Sequence, residues 1–139
     1  MTVADVLDAI ADDKSLVLFN TIALSNEDSS ILIRNLGITK KQYYSRLSTL
    51  QRTGLVKRER GKYSLTRFGT ILYHAQEIIG KAVNQYWRLE AIDSVRISEN
   101  DKVPQEQYVK LIKTLIPNPE IKNILFERID DKKATIYQK

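Results

Sequence analysis

The sequence predicts a mainly α-helical chain with one small β-hairpin, followed by a long helix and two short C-terminal helices. Apolar residues recur at helical spacing through most of the chain. The period changes to that of a strand only between Leu55 and Leu65. Residues 67–95 contain no proline, which allows one helix of about 29 residues, or roughly 43 Å.

Three short amphipathic helices are predicted at the N-terminal end of the chain. Thr2 is expected to cap the first, and the second is expected to cover about Lys14 to Leu24. Ser25 and Asp28 have the spacing of a capping box, which predicts the start of the third. The apolar residues expected on these helices are Val3, Val6, Leu7, Ile10, Leu16, Val17, Phe19, Ile22, Ala23, Ile31, Leu32 and Leu36.

The fourth predicted helix has a polar face without carboxylates. Thr39 and Gln42 form a capping box at its start, and Gly54 ends it, because glycine readily adopts the left-handed conformation. The apolar face carries Tyr43, Leu47 and Leu50, and the polar face carries Lys41, Tyr44, Ser45, Ser48 and Arg52. An ordinary solvated helix mixes Glu with Lys, whereas a helix that approaches a polyanion has to exclude acids.

The segment after Gly54 predicts a two-stranded hairpin. Val56, Tyr63 and Leu65 are expected to share its inner face, with Gly61 at the turn. The basic side chains of the hairpin are expected to be exposed, and they are Lys57, Arg58, Arg60 and Lys62. Thr66 is expected to cap the long helix that follows.

Charge is sorted along the chain. Between Arg34 and Phe68 there are ten basic residues and one acid, a net charge of +9, whereas the whole chain carries +5. The first 33 residues sum to −5. A concentrated basic surface attracts polyanions, and nucleic acid is the usual one, although a charge run is also the common appearance of a solvated face.

One known family has a similar arrangement of residues. The run 36–47, then Leu50, then 54–56 and 61–66, resembles the small winged helix-turn-helix transcription regulators of prokaryotes, most closely those of archaea. The resemblance covers roughly Ser15 to Ile79. It implies that residues 1–66 form a winged helix-turn-helix domain that binds double-stranded DNA, with about Lys40 to Thr53 as the recognition helix in the major groove and the hairpin as the wing.

The expected DNA contacts divide into two groups. Contacts with base edges are expected from Lys41, Tyr44, Ser45 and Ser48. Contacts with phosphates are expected from Lys40, Arg46, Arg52, Lys57, Arg58, Arg60 and Lys62. An ion pair between Arg46 and an acid of a neighbouring helix is the alternative expectation for that residue.

Residues 67–139, which comprise the long helix and the C-terminal helices, are expected to form a dimerisation region. The long helix has an apolar seam at alternating spacings of four and three, which is typical of coiled coils. The residues expected in a homodimer interface are Leu72, Ile79, Ala82, Tyr86 and Leu89. Packing against the same chain is the alternative explanation. One C-terminal helix is expected from Pro104 to about Ile116 and one after Asn118, before a charged tail, and both are expected to fold back on the long helix or on its partner copy.

The sequence carries no recognisable catalytic or metal-binding constellation. The chain has one histidine, His74, and no cysteine, so histidine-based triads and thiolate metal sites are excluded. We therefore predict a protein that is not an enzyme and has no cofactor or metal. The absence of a long apolar segment predicts a cytoplasmic protein without membrane association.

Two further functions stay open. A basic winged helix would also suit docking on an acidic partner protein in a transcription or signalling complex, although basic residues on both the helix face and the wing favour DNA. A small-molecule effector site is the second, and its aromatic lining would be Tyr43, Tyr73, Tyr86 and Trp87. The sequence indicates no ligand class for it.

Overall fold

The computed structural model describes residues 1–24, 29–96 and 105–127. Within these ranges the chain is mainly helical, with one two-stranded antiparallel sheet. The elements are α1 (Val3–Ala9), α2 (Asp13–Leu24), α3 (Ser29–Leu36), α4 (Lys40–Arg52), β1 (Val56–Glu59), β2 (Lys62–Leu65), α5 (Arg67–Asn84), α6 (Tyr86–Arg96), α7 (Gln105–Leu115) and α8 (residues 119–127). The predicted capping box at Ser25 and Asp28, the start of a helix at Pro104 and the C-terminal tail lie outside the described residues.

The chain divides into two compact units, Met1–Ala75 and a second that begins at Gln76. The division falls within α5. The first unit contains α1–α4, the hairpin and the first turns of α5, whereas the second contains the rest of α5 together with α6–α8. Each unit has its own buried apolar cluster.

The core of the first unit is formed by one face of each helix and by the entry to the hairpin. Its most deeply buried side chains are Leu18, Phe19, Tyr43, Leu47, Leu50 and Leu55. The inner face predicted for α1 was partly wrong. Val6 and Ile10 are buried, but the buried stripe turns towards Ala9, so that Val3 and Leu7 lie on its exposed flank.

Two other apolar residues predicted to face inwards are exposed. Val17 points away from the core of the first unit, because the inward positions of α2 are taken by Ser15, Leu18 and Ile22. Ile31 lies outside the buried stripe of α3, which Leu32 forms with Leu36. Hydrophobic periodicity alone therefore predicted a wider buried face than either helix has.

The hairpin has the shared face that the sequence predicted. Val56 lies opposite Leu65 and Arg58 lies opposite Tyr63, so Val56, Tyr63 and Leu65 share one face. The two-residue turn holds Arg60 at φ 53° and Gly61 at φ 77°. Positive φ at both central residues is the geometry that matches the twist of a hairpin.

The start of α5 is held close to the chain that leads into β1. Thr66 caps the helix as predicted, because its hydroxyl accepts a hydrogen bond from the Gly69 amide at 2.9 Å. A Cβ at position 69 would lie only 2.0 Å from the Leu55 carbonyl oxygen. This approach is possible only for glycine.

The prediction of one uninterrupted helix over residues 67–95 was wrong. The helix stops at Asn84 and restarts at Tyr86. The Gln85 amide is shared between the carbonyls of Lys81, at 3.2 Å, and Ala82, at 3.0 Å, which tightens the last turn of α5. Gly80, Val83 and Asn84 all have weaker helix propensity than alanine, so the helical conformation is only weakly favoured just before the interruption.

In the second unit, α7 and α8 pack on α6 and on the end of α5. The buried residues are Ile92, Ile112, Ile116 and Ile121. The Asn118 side chain caps α8 as predicted, accepting hydrogen bonds from the amides of Glu120 and Ile121. The C-terminal helices therefore fold back on the long helical segment of their own chain.

Candidate functional site

The outer face of α4 is set by a well-defined helix start and a buried inner face. The predicted capping box is formed: the Thr39 hydroxyl accepts from the Gln42 amide at 3.1 Å, and the Gln42 side chain accepts from the Thr39 amide at 3.0 Å. Tyr43, Leu47 and Leu50 are almost fully buried. The Tyr43 hydroxyl also donates to the Ser29 hydroxyl at 3.1 Å, which ties α4 to the start of α3.

The side chains opposite this inner face are exposed and include no acid. They are Lys41, Tyr44, Ser45, Ser48 and Arg52, with Lys40 at the first turn. Tyr44 is 43% exposed and its ring meets the buried Tyr43 ring edge-on, with 5.0 Å between centroids. The contact supports one side of the Tyr44 ring, and the residue stays partly exposed. The facing predicted for α4 is therefore confirmed.

Arg46 differs from the other basic residues of α4. It lies on a flank of the helix, and its Nε is 3.4 Å from Oδ1 of Asp12. The alternative expectation for this residue, an ion pair with an acid of a neighbouring helix, is the arrangement found. Its predicted contact with phosphate would require this pair to open.

Asp12 is itself held firmly at the start of α2. Its carboxylate accepts the Ser15 amide at 2.9 Å and the Ser15 hydroxyl at 2.7 Å. These hydrogen bonds, that of the Ser15 hydroxyl first, outweigh partial burial and lower the pKa of Asp12, and the Arg46 charge lowers it further. Asp12 is thus a fixed carboxylate beside α4.

The hairpin carries less unpaired positive charge than the sequence suggested. All four basic residues predicted to contact phosphates there are exposed. The Lys57 ammonium, however, lies 3.2 Å from the Glu59 carboxylate on the same face of β1, and Lys62 lies opposite Glu59. The Arg58 guanidinium lies over the Tyr63 ring, 5.8 Å from its centroid. Arg60 lies at the tip of the hairpin and forms no ion pair within the described residues.

The outer face of α4 and the hairpin are connected directly within the first unit. Gly54 has φ 75° and ends α4 as predicted, and the Leu55 amide donates back to the Leu50 carbonyl at 3.0 Å. The Thr66 amide donates to the Leu55 carbonyl at 3.1 Å and so closes the base of the hairpin. Since these bonds fix both ends of the connection, the two basic segments belong to one framework.

The five residues predicted for a dimer interface occupy different environments. Leu72 packs against the core of the first unit, whereas Ala82 and Leu89 pack against the core of the second. Ile79 and Tyr86 are exposed, at 59% and 58%. Val83 and Trp87, which were not predicted in the interface, are also exposed, at 67% and 78%. Their spacing from Ile79, four and eight residues, was the available signal.

The described residues contain no group of three or more potential metal ligands from His, Cys, Asp and Glu. His74 is exposed on α5, and its ring meets that of Tyr73 edge-on, at 5.7 Å between centroids. Of the four aromatic residues considered for an effector site, Tyr43 and Tyr73 contribute to the core of the first unit, and Tyr86 and Trp87 are exposed in the second. Among the described helices, none combines the length and the apolar character needed to cross a membrane.

No protein-family model matches the sequence, and comparisons with curated proteins and with solved structures found no match.

Proposed function

We propose that this chain is a DNA-binding transcription regulator of the winged helix-turn-helix type. In this proposal α3 and α4 form the helix-turn-helix, α4 enters the major groove, and the hairpin is the wing. The order of elements supports it, because a capped, outward-facing helix is followed directly by a two-stranded antiparallel hairpin.

One observation carries the proposal: the exposed face of α4 bears only basic, hydroxyl and amide side chains. A carboxylate on this face would be repelled by phosphates, and α4 has none anywhere along its length. Lys41, Tyr44, Ser45 and Ser48 lie where base edges would be read. Lys40, Arg52 and the basic hairpin residues would contact phosphates and position the domain.

The second unit would provide the dimer contact. A single small domain makes few base contacts, whereas a two-fold dimer doubles them and sets a half-site spacing of about 34 Å. Ile79 and Tyr86 of the predicted seam are exposed, and Val83 and Trp87 extend the apolar surface around them. Leu72, Ala82 and Leu89 pack within their own chain, so the interface would be narrower than the sequence suggested.

The test is fluorescence anisotropy with a labelled random-sequence duplex at low salt. Replacing Lys40 and Lys41 together with alanine should weaken binding at least about tenfold, since both are charged contacts in the groove. The matched control replaces Lys110 and Lys113, two exposed lysines of α7, and should change binding little.

An equal effect of the two pairs would show that binding is general attraction to a basic protein. No binding of the duplex by the unmodified protein would favour the alternative, a module that docks on an acidic protein partner.

A further inference from the structure

The ion pair between Asp12 and Arg46 joins residues 34 positions apart and engages one basic side chain of α4 with a carboxylate. Within the described residues, Arg46 is the only residue of α4 that forms an ion pair. The other basic residues of this helix, Lys40, Lys41 and Arg52, have no carboxylate within salt-bridge distance there.

With α4 in the major groove, Arg46 would lie beside the phosphates of the groove wall. A helix about 10–12 Å in diameter fills a major groove about 12 Å wide, so its flanks, and not its outermost residues, adjoin the phosphate walls. Arg46 projects from such a flank, between the buried Tyr43 face and the exposed Ser45 face. The side chain is 28% exposed, so it is partly accessible to solvent.

The carboxylate that holds Arg46 does not depend on Arg46 for its own position. Ser15 donates two hydrogen bonds to Asp12, one from its amide and one from its hydroxyl. Asp12 is therefore a preorganised acceptor, and it occupies the guanidinium with the same chemistry that a DNA phosphate would offer.

We propose that Asp12 competes with DNA phosphates for Arg46 and thereby limits the sequence-independent part of DNA binding. This inference rests on the proposed function. A phosphate contact strengthens binding to every sequence alike, so withholding one lowers the affinity for all duplexes by the same factor and leaves the ratio of specific to non-specific binding unchanged. Asp12 in this sense sets the overall affinity for DNA, and not the sequence preference, without itself contacting a base.

Asp12→Asn removes the negative charge that pairs with Arg46 but keeps a side-chain oxygen that can cap α2. Asparagine is as good a helix cap as aspartate, so the Ser15 amide keeps an acceptor while Arg46 loses its partner. Affinity for a random-sequence duplex should rise roughly two- to fivefold per protomer, the range in which an exposed ion pair operates. The slope of log affinity against log salt should become steeper by about 0.9 per protomer, the value for one added phosphate contact.

Asp13→Asn is the matched control. Asp13 is exposed in the first turn of α2, so this substitution removes the same charge one residue away from Asp12. It should raise affinity less and leave the slope unchanged. In an Arg46→Gln background, Asp12→Asn should do no more than Asp13→Asn, because the guanidinium it would release is gone. Thermal unfolding verifies that each variant is folded, and Asp12→Ser, which also preserves the cap, replaces Asp12→Asn if that variant is unstable.

Equal effects of Asp12→Asn and Asp13→Asn on the affinity and slope of a protein that does bind DNA would overturn the inference alone. Persistence of the full Asp12→Asn effect without Arg46 would overturn it too. If neither the unmodified protein nor any variant binds the duplex, the proposed function fails and the inference fails with it.

Discussion

Ile79→Asp tests whether the exposed apolar surface of the second unit joins two copies of the chain. Ile79 is 59% exposed in the single chain, so an aspartate there should leave each unit folded. Leu89 is unsuitable for this purpose, because it packs in the core of its own chain. The variant therefore separates association from folding.

The size of the effect follows from the exposed fraction. Full burial of an isoleucine side chain stabilises by about 1.5–3 kcal/mol, and three-fifths of that area is still available for a partner. The loss is then about 1–2 kcal/mol per protomer and about 2–4 kcal/mol for a symmetric dimer, before any cost of burying the new charge. The dimer dissociation constant should increase by roughly 30-fold to 1,000-fold.

Light scattering coupled to size-exclusion chromatography measures this change over micromolar concentrations. The control is Val3→Asp, which replaces an apolar residue that is 77% exposed in α1 of the first unit, and it should leave the molar mass unchanged. A monomeric unmodified protein, or equal behaviour of the two variants, would refute the assignment of the interface.

Three further predictions concern stability and recognition. Gly69→Ala should destabilise the fold by about 1–3 kcal/mol or more, because a Cβ there would lie 2.0 Å from a backbone carbonyl oxygen. Gly80→Ala has open space around it inside α5 and should stabilise the fold by about 0.5–1 kcal/mol. Chemical unfolding measures both changes. The hydrogen bonds that lower the pKa of Asp12 stabilise the folded state at any pH above 3.8, the ordinary pKa of an aspartate. This contribution should disappear as the pH falls through the lower pKa that Asp12 has in the folded protein. Urea unfolding of wild type and Asp12→Asn from pH 7 to pH 3 should show the difference shrinking only below about pH 4, and a difference that grows on acidification would contradict the sign. Lys62→Gln should weaken binding to all duplexes alike, whereas Ser48→Ala should weaken a selected site more than random DNA, as competition binding would show.

Signals within a few residues predicted the local structure well. The capping box of Thr39 and Gln42, the cap at Thr66 and the left-handed Gly54 each depend on side chains and backbone groups that are close in sequence. The shared face of the hairpin followed from alternation of apolar and polar residues around Gly61. The acid-free face of α4 was visible for the same reason.

Features that depend on tertiary contacts could not be predicted from these signals. Asp12 and Arg46 are 34 residues apart, and only the tertiary fold of the first unit brings them together. The interruption at Gln85 involves no proline and shows only as a shared hydrogen bond. The period of α5 likewise could not distinguish Leu72, which packs within its own chain, from Ile79, which is exposed.

The salt dependence of binding to a random-sequence duplex tests the central claim most directly. If each protomer neutralises roughly 4 to 5 phosphates, the log affinity of a dimer should fall with log salt at a slope of about −7 to −9. A monomer that binds through the same face should give about half that slope. A nearly flat dependence would contradict the proposal that the basic surface of α4 and the hairpin binds DNA.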